Sequence, residues 1–471
     1  MSLWKENADG IAALKSAVAS DAWTENKDLI APHLREWRDK YQGKTNLMLM
    51  PRTTKQVQQL VQVANSHRIP LTPQGGNTGL VGGSLPGLDG TDSVLLSFKR
   101  MTDIQIEGST AVAGAGVTIS ALQDAADKAG YLFPVSLASE GSCTVGGAIA
   151  TNAGGIHVIR YGVMRQLTMG VEAVLADGSL IDETADLIKD NSGYRLTPLL
   201  TGSEGTLGLI SKARLKLFPK ERAHITGWLE LESFDEAAAL LELLRQETDG
   251  RLSVFEVMSN YSLQLASTHL PAANATLSAL NYQHAPWSVL FEVGLSQEEP
   301  ALKERLSDII VNQHGLKNAV LAASEQQRQA MIAVREGLSA AQKHQGVSIK
   351  HDISLPIKAM PQFLSEGEAL VQKLIPGSRP VVFGHLGDGN LHYNLMQPEG
   401  GADLLKDRWS TVQTAVHDLV HAHGGSLSAE HGIGRMKKAD LARLEPARLA
   451  AMQRLKAALD PHTILNPGVI I

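Results

Sequence analysis

Residues 69–84 read Ile69-Pro70-Leu71-Thr72-Pro73-Gln74-Gly75-Gly76-Asn77-Thr78-Gly79-Leu80-Val81-Gly82-Gly83-Ser84, an apolar strand that runs into a glycine-rich loop. Just upstream, Leu47-Met48-Leu49-Met50 reads as a short strand. Thr53 or Thr54 can cap a helix in which Val57, Leu60, Val61 and Ala64 keep a 3.6-residue apolar period. Strand, helix, strand and glycine loop in this order predict an α/β unit whose loop approaches something closely. The texture recurs downstream. Gly141-Ser142-Cys143-Thr144-Val145-Gly146-Gly147-Ala148-Ile149-Ala150-Thr151-Asn152-Ala153-Gly154-Gly155 is a second glycine-rich stretch. Thr201-Gly202-Ser203-Glu204-Gly205-Thr206-Leu207-Gly208 is a third, opening a strand where Ala213, Leu215 and Leu217 alternate with lysine and arginine. Between them, a helix at about Ser120 to Lys128 ends at Gly130, and Val171, Ala173 and Leu175 alternate into an Asp177-Gly178 hairpin turn.

The chain has 471 residues, 43% hydrophobic and 20% charged, the composition of a soluble globular protein with about two or three domains. Its net charge of −6 argues against nucleic acid as a partner, because that affinity rests on a basic surface. One cysteine, Cys143, excludes an internal disulfide framework and a thiolate zinc cluster, and it suits a reducing cytoplasm. Met1 to Ser20 carries Lys5, Glu6, Asp9 and Lys15, so no signal core is expected there. Ile69 to Leu88 and Gly141 to Ile159 are uncharged but full of glycine, proline and polar residues, so neither is expected to span a membrane.

The expected organisation has four parts. Residues 1–45 read as a helical segment with Trp4, Trp23 and Trp37 as packing residues, and 46–221 hold the glycine loops. From 222 to 425 glycine thins out and amphipathic helices alternate with longer strands, starting from a capping box at Ser233-Phe234-Asp235-Glu236. Residues 426–471 are too few to stand alone and must dock on one of the larger parts.

Three glycine loops beside strand or helix ends suit an extended anionic ligand, since backbone N–H groups can converge on phosphate oxygens; as plain turns they would bind nothing. The usual phosphate fingerprints fail. Gly43-Lys44-Thr45 mimics the end of a P-loop, but Arg38 stands where its first glycine belongs, and Gly114-Ala115-Gly116 has Ile119 where a third glycine is required.

A metal constellation is sharper. In Gly384-His385-Leu386-Gly387-Asp388-Gly389-Asn390-Leu391-His392-Tyr393-Asn394, a four-residue turn over 387–390 would set His385 opposite His392, with Cβ atoms roughly 5 Å apart and Asn394 on the same face. Ser428-Ala429-Glu430-His431-Gly432-Ile433-Gly434 offers a carboxylate beside an imidazole. Two histidines and one glutamate with an open position form a catalytic zinc pattern, whereas a solvated hairpin with two ordinary histidines is the plain alternative. Arg335 and Ser339 are one helical turn apart and Lys350 lies on the next strand; converging, they would grip a carboxylate.

Taken together, PQGGNTGLVGGS, GSCTVGGAIATNAGG, TGSEGTLG and DPHTILNPG resemble the FAD-binding oxidoreductases of the vanillyl-alcohol oxidase / p-cresol methylhydroxylase type. GHLGDGNLHYN and SAEHGIG resemble their 2-hydroxyacid dehydrogenase branch, and within it the D-2-hydroxyglutarate dehydrogenases. The resemblance runs from about Leu47 to the C-terminus. It implies an α+β fold, with a two-part FAD-binding domain and an α+β substrate (cap) domain built on an antiparallel sheet. It implies that Gly75, Gly76, Asn77, Thr78 and Gly79 bind the FAD pyrophosphate. Ser139, Gly141, Thr144, Gly147, Thr151, Asn152 and Gly155 would line the flavin, with Gly205, Ile210 and Asn466 completing its pocket. His385, His392 and Glu430 would bind Zn2+ or a similar divalent ion such as Mn2+. Asn394 and His431 would face the reacting carbon, and Arg335, Ser339 and Lys350 would hold a distal carboxylate.

The implied reaction oxidises D-2-hydroxyglutarate to 2-oxoglutarate. A divalent ion held by His385, His392 and Glu430 would lower the pKa of the 2-hydroxyl, His431 would act as general base, and the flavin would accept hydride. The alternatives are a D-lactate or glycolate dehydrogenase, a flavin oxidase of a different alcohol, and a flavin subunit of a glycolate-oxidase-like complex that is inert alone. The resemblance also implies an electron-transfer flavoprotein or a quinone as acceptor; a homodimer is a further expectation. Gln74 and Asn77 stand where relatives tether FAD through histidine, so non-covalent FAD is expected, with Cys143 as a packing residue.

Overall fold

The computed structural model describes residues 3–312, 316–398 and 404–471. The chain divides into two compact units: Met1–Gly155, Gly162–Lys220 and Glu430–Ile471 form the first, and Ile156–Tyr161 with Glu221–Ala429 the second. The short Ile156–Tyr161 piece carries no sequence signal for its change of unit. The expected boundary at 426 falls four residues before the chain enters the first unit at Glu430.

In the first unit, strands Met48–Leu49, Val94–Ser97 and Leu71–Gln74 pair in parallel, and Trp23–Thr24 adds an antiparallel edge. The expected N-terminal helical segment therefore also contributes a strand. The crossover helix Thr54–His67 starts where the Thr53 side chain accepts the Gln56 N–H and buries Val57, Leu60, Val61 and Ala64, the apolar stripe that drives an amphipathic helix onto a sheet. A second sheet of five antiparallel strands runs in the order Ile104–Glu107, Thr110–Gly114, Leu209–Lys216, Thr168–Val174, Leu180–Asp182. Trp4 and Trp23 pack against the first core, but Trp37 is 66% exposed and is not a packing residue.

The C-terminal segment is laid into this unit by specific bonds. Leu71 N–H donates to Ile464 O at 2.7 Å and Asn466 N–H to Leu71 O at 2.8 Å. The buried Lys456 ammonium donates to Thr206 O, Leu465 O and the Asp460 carboxylate at 2.6–2.7 Å, so a charge in the interior is fully paired.

The second unit is one eight-stranded antiparallel sheet. Its long strands Ala223–Leu231, Leu252–Ser259 and Trp287–Leu295 are buried nearly end to end, because helices cover both faces. Leu229, Val257, Phe291 and Val289 belong to one core, and Trp228, Met258 and Leu290 to the other. The second face also carries three buried glutamates. Glu230 accepts from the Gln283 and Ala285 backbones and from Asn318. Glu292 accepts from Thr226 at 2.8 Å and from Arg328 at 2.6 and 2.9 Å, and Glu256 accepts from Arg335 and His385. Arg328 and Arg335 lie two turns apart on helix Glu325–Ala341, so the pairs to Glu292 and Glu256 set its register on the sheet.

Burial works to raise the Glu292 pKa, yet the His224 ring 3.4 Å away and the bonds and charge of Arg328 hold it at about 2, against an ordinary 4.5. A lowered pKa gives stability that is present above 4.5 and lost as the pH falls towards 2. Glu292→Ala should therefore cost about 1–3 kcal/mol at neutral pH, because it removes the two-bond partner of the half-buried Arg328, which keeps only Glu325 among the described residues. Urea midpoints measured against pH should show the wild-type advantage shrinking below pH 4.5.

Candidate active site

A cavity of about 500 Å³ lies within the first unit, with Gly75–Gly79 on one side and the 137–151 stretch on another. Among the described residues, no acceptor meets the backbone N–H groups of Gly75, Gly76, Asn77, Thr78 or Gly79. Five successive unpaired donors beside a cavity are an anion nest, since backbone N–H groups otherwise find partners. Asn77 sits at φ 58°, its Oδ1 accepting from Ser84 and its Nδ2 donating to Arg35 O, which holds the loop in its left-handed bend. Helix Val145–Thr151 starts at the cavity wall, its first turn capped by the Thr144 hydroxyl.

The glycines do two different jobs. A Cβ on Gly76 would meet Ser142 O at 2.0 Å and one on Gly75 the Thr144 hydroxyl at 2.3 Å, so these two let the loops pack on each other. A Cβ on Gly79 would meet nothing within 4 Å. Of the expected flavin residues, Gly75–Gly79, Ser139, Thr144, Gly147, Thr151, Gly205, Ile210 and Asn466 line the cavity.

Gly141, Asn152 and Gly155 flank that lining rather than forming part of it. Gly141 is exposed on a turn. Asn152 ends the helix in the left-handed conformation and accepts the Arg165 N–H, and Gly155 bends against Ser136 O. Cys143 is buried, and burial pushes its thiol pKa up, which fits a packing residue.

Glu430 and His431 also line this cavity, and so does Glu204, which sequence reasoning missed. Glu204 is buried at φ 50°, and its carboxylate accepts the Ile433 N–H at 2.8 Å and the Gly434 N–H at 3.0 Å. It anchors the loop that carries His431. Burial pushes its pKa up, opposed by those two backbone donors and by Lys437.

The remaining residues lie in the second unit. The hairpin has a different register from the expected one: a 3-10 turn over Leu386–Asp388 follows His385, and Phe383 is the residue paired with His392. His385 is two residues from Phe383 and shares its face by strand alternation. The two imidazoles still meet, with centroids 5.8 Å apart and ring planes at 75°. His385 Nδ1 lies 2.5 Å from Glu256 Oε1, and Arg335 Nε donates to Glu256 Oε2 at 2.6 Å. Burial works to raise the Glu256 pKa, but the Arg335 and His385 charges and bonds hold it at about 2. Arg335 is 8% exposed and its Nη2 has no partner among the described residues.

Asn394 is buried and donates to Gln342 at 3.0 Å. Lys350 is half-buried at a break between strands Ser348–Ile349 and Asp352–Ser354, where a continuous strand was expected, and Ser339 is exposed. Glu256 is the functional neighbour that sequence reading missed. It stands 79 and 129 residues from its two partners, and its only local signal is an acid in an otherwise apolar strand.

Comparison with known proteins fits this geometry. Residues 45–183 match the model of an FAD binding domain, and residues 220–470 match the C-terminal domain of FAD linked oxidases. The chain belongs to the FAD-linked oxidases. A D-2-hydroxyglutarate dehydrogenase of Stutzerimonas stutzeri is 34% identical over 98% of each chain. Mitochondrial proteins of that name from Arabidopsis thaliana and Bos taurus are 32% and 34% identical over 98% of this chain and 81% and 82% of theirs. In fold it resembles p-cresol methylhydroxylase, with a TM-score of 0.77 at 17% identity, covering 98% of this chain and 96% of the other. It also resembles the 4-ethylphenol oxidase of Gulosibacter chungangensis, with a TM-score of 0.74 at 18% identity over 99% and 97%.

The α+β architecture of two FAD-oxidase domains is thus established, and FAD is the cofactor of this oxidoreductase. Among the described residues, no helix is long and apolar enough to cross a membrane. The two loop glycines give a direct check on the cradle. Gly76→Ala should force the loops apart and release FAD on gel filtration, whereas Gly141→Ala, with nothing within 4 Å of its new methyl, should keep a full flavin spectrum.

Proposed function

We propose that the protein oxidises D-2-hydroxyglutarate to 2-oxoglutarate, with FAD and a divalent metal ion as cofactors. The observation that carries the reading is Arg335, a buried guanidinium held through Nε by Glu256, with its Nη2 unpartnered. A buried guanidinium paired at its Nε edge but with an N–H edge lacking an acceptor among the described residues suits an anionic substrate group in an FAD-linked oxidase. Ser339, one turn on along the same helix, and Lys350, at the break between strands Ser348–Ile349 and Asp352–Ser354, would complete the grip on the distal carboxylate. The names of the full-length relatives support the same substrate.

The donor set suits a metal. His385, His392 and Glu430 each offer one ligand atom, two nitrogens and a carboxylate oxygen as in open zinc sites. Strand register supports the third ligand. His392 pairs with Asp352, and the Asp352 carbonyl accepts the Ala429 N–H at 3.3 Å. The next residue in the chain is Glu430, and consecutive Cα atoms are about 3.8 Å apart.

When bound, FAD would accept the two electrons as hydride and a divalent ion would polarise the 2-hydroxyl. This chain's residues supply the rest. Arg335 fixes the far end of the substrate, Asn394 stands on the strand of His392 to orient the near end, and His431 Nδ1 or Nε2 takes the hydroxyl proton. We further propose Zn2+ as the ion with Mn2+ as the substitute, an electron-transfer flavoprotein or a quinone as acceptor, a homodimer as the assembly, and the cytoplasm as the compartment. The last is supported by a lone, buried, reduced Cys143.

Anaerobic mixing with a panel of 2-hydroxy acids tests the reading. Bleaching of the flavin by D-2-hydroxyglutarate is expected, while bleaching by D-lactate or glycolate instead would overturn the diacid assignment. Arg335→Lys keeps a charge beside Glu256 but loses the guanidinium fork, so KM for the diacid should rise about 10–100-fold, the loss of about one to two good hydrogen bonds to a charge. His431→Ala should retain flavin and metal yet slow flavin reduction about 10²–10⁴-fold; a near-normal rate in stopped flow would remove it from the role. Chelator treatment should abolish turnover and added zinc restore it.

A further inference from the structure

Glu256 sits in strand Leu252–Ser259 and is 1% exposed. Each carboxylate oxygen has its own partner: Oε1 the His385 Nδ1 at 2.5 Å, Oε2 the Arg335 Nε at 2.6 Å. We propose that Glu256 is a positioning residue that sets the ligating nitrogen of His385 and the open edge of Arg335 together, so that metal affinity and the grip on the substrate's distal carboxylate depend on one side chain. The inference rests on the reading of His385 as a metal ligand and Arg335 as a carboxylate clamp.

The chemistry of the contacts gives the direction of each effect. A carboxylate can only accept, so Nδ1 of His385 carries the proton and the lone pair lies on Nε2, the nitrogen that a metal would take. At the other end, Glu256 occupies the Nε edge of Arg335. The Arg335 guanidinium carbon stands 4.8 Å from the centroid of the Phe383 ring, and Phe383 is two residues before His385 on strand Arg379–His385. An ion pair at one edge and an aromatic face beneath fix the guanidinium, which leaves Nη2 unpartnered among the described residues. A buried unpaired donor of this kind is retained at a cost, which a ligand carboxylate would offset.

An uncharged isostere cannot serve both partners. In Glu256→Gln the amide has one acceptor and one donor group. If its oxygen faces Arg335, its NH2 faces His385 Nδ1 and forces the imidazole proton onto Nε2, the ligating atom. If its oxygen faces His385, two donors confront each other at Arg335 Nε. Either pose disables one end.

The test uses the FAD-loaded full chain. Zinc affinity by chelator competition should fall about 10–100-fold in E256Q, as for other carboxylates behind a metal-bound histidine, or KM for D-2-hydroxyglutarate should rise by a similar factor, with FAD content unchanged. A purely structural role would lower the melting temperature and leave both constants alone. His392→Ala separates the two levels of the argument. If it keeps wild-type zinc affinity, the metal reading fails and the proposal with it. If it loses zinc while E256Q keeps wild-type zinc affinity and KM, the metal reading stands and the role of Glu256 is overturned. Should E256Q fail to fold, ¹⁵N spectra of the metal-free wild-type protein at alkaline pH decide, with His385 assigned by His385→Asn. A neutral ring protonated on Nδ1 is expected, and protonation on Nε2 overturns the proposal.

Discussion

A carboxylate removed from water persists only where donors replace the solvent it has lost. The second unit places three of them, Glu230, Glu256 and Glu292, on one face of its sheet and satisfies each in a different way. Glu230 gathers backbone and amide donors and serves packing alone. Glu292 and Glu256 instead recruit two arginines from one helix, so Glu325–Ala341 can dock in only one register. Removing Glu256 alone would leave the buried Arg335 guanidinium without its counter-charge, a penalty far above that of losing one partner of an exposed ion pair. The same constraint that orients the helix delivers Arg335 next to His385, and the binding chemistry of this unit follows from it.

The first unit solves a backbone problem rather than a charge problem. Its cavity is walled by loops that approach each other within the radius of a methyl group at Gly75 and Gly76, leaving a run of N–H groups without an acceptor among the described residues. Such donors stay ordered only if the loops are braced from behind. Asn77 braces the first loop through Ser84 and Arg35, and Asn466 braces it from the C-terminal segment through a bond to Gly83 O. Glu204 does the same for the loop that carries His431, from a left-handed conformation costing of order 1–3 kcal/mol in a residue with a side chain. Lys456, with Asp460, pins the C-terminal segment that holds Asn466.

Much of this was legible in the residues because it is local. Thr53 and Ser233 cap the helices that their sequences announce, and most of the glycine-loop positions line the cavity because a loop of that composition has few other uses. What escaped is non-local or depends on a shift by two residues. The 385–392 hairpin was expected to turn over 387–390, but the chain tightens into a 3-10 turn directly after His385 and moves Phe383 opposite His392. The two histidines still share a face because strand alternation has a period of two, so an error in register left the two imidazoles side by side. Trp37 shows the opposite failure: a large aromatic invites a packing role, yet nothing in its neighbours' spacing places it inside, and it is two-thirds exposed at the rim of the cavity lining. Glu256 had no local signal at all, since an acid in an apolar strand reads as an exposed edge until its distant arginine and histidine are placed.

Chain connectivity adds a last constraint. Strand pairing carries Asp352 to His392, the Asp352 carbonyl holds Ala429, and Glu430 and His431 come next in the sequence. The Ala429 bond is a backbone one, so it fixes where the segment leaves the sheet whatever side chains follow, and side-chain substitutions at Asp352 alone would leave it in place. Beyond that point the loop is held by Glu204 in the first unit. A proposed metal ligand and a proposed base on adjacent residues, followed closely by two backbone N–H groups that the buried Glu204 carboxylate holds, have little freedom to drift independently. Loops ordinarily carry function at the expense of positional accuracy, and in this chain the carboxylate anchor two residues after His431 limits that loss.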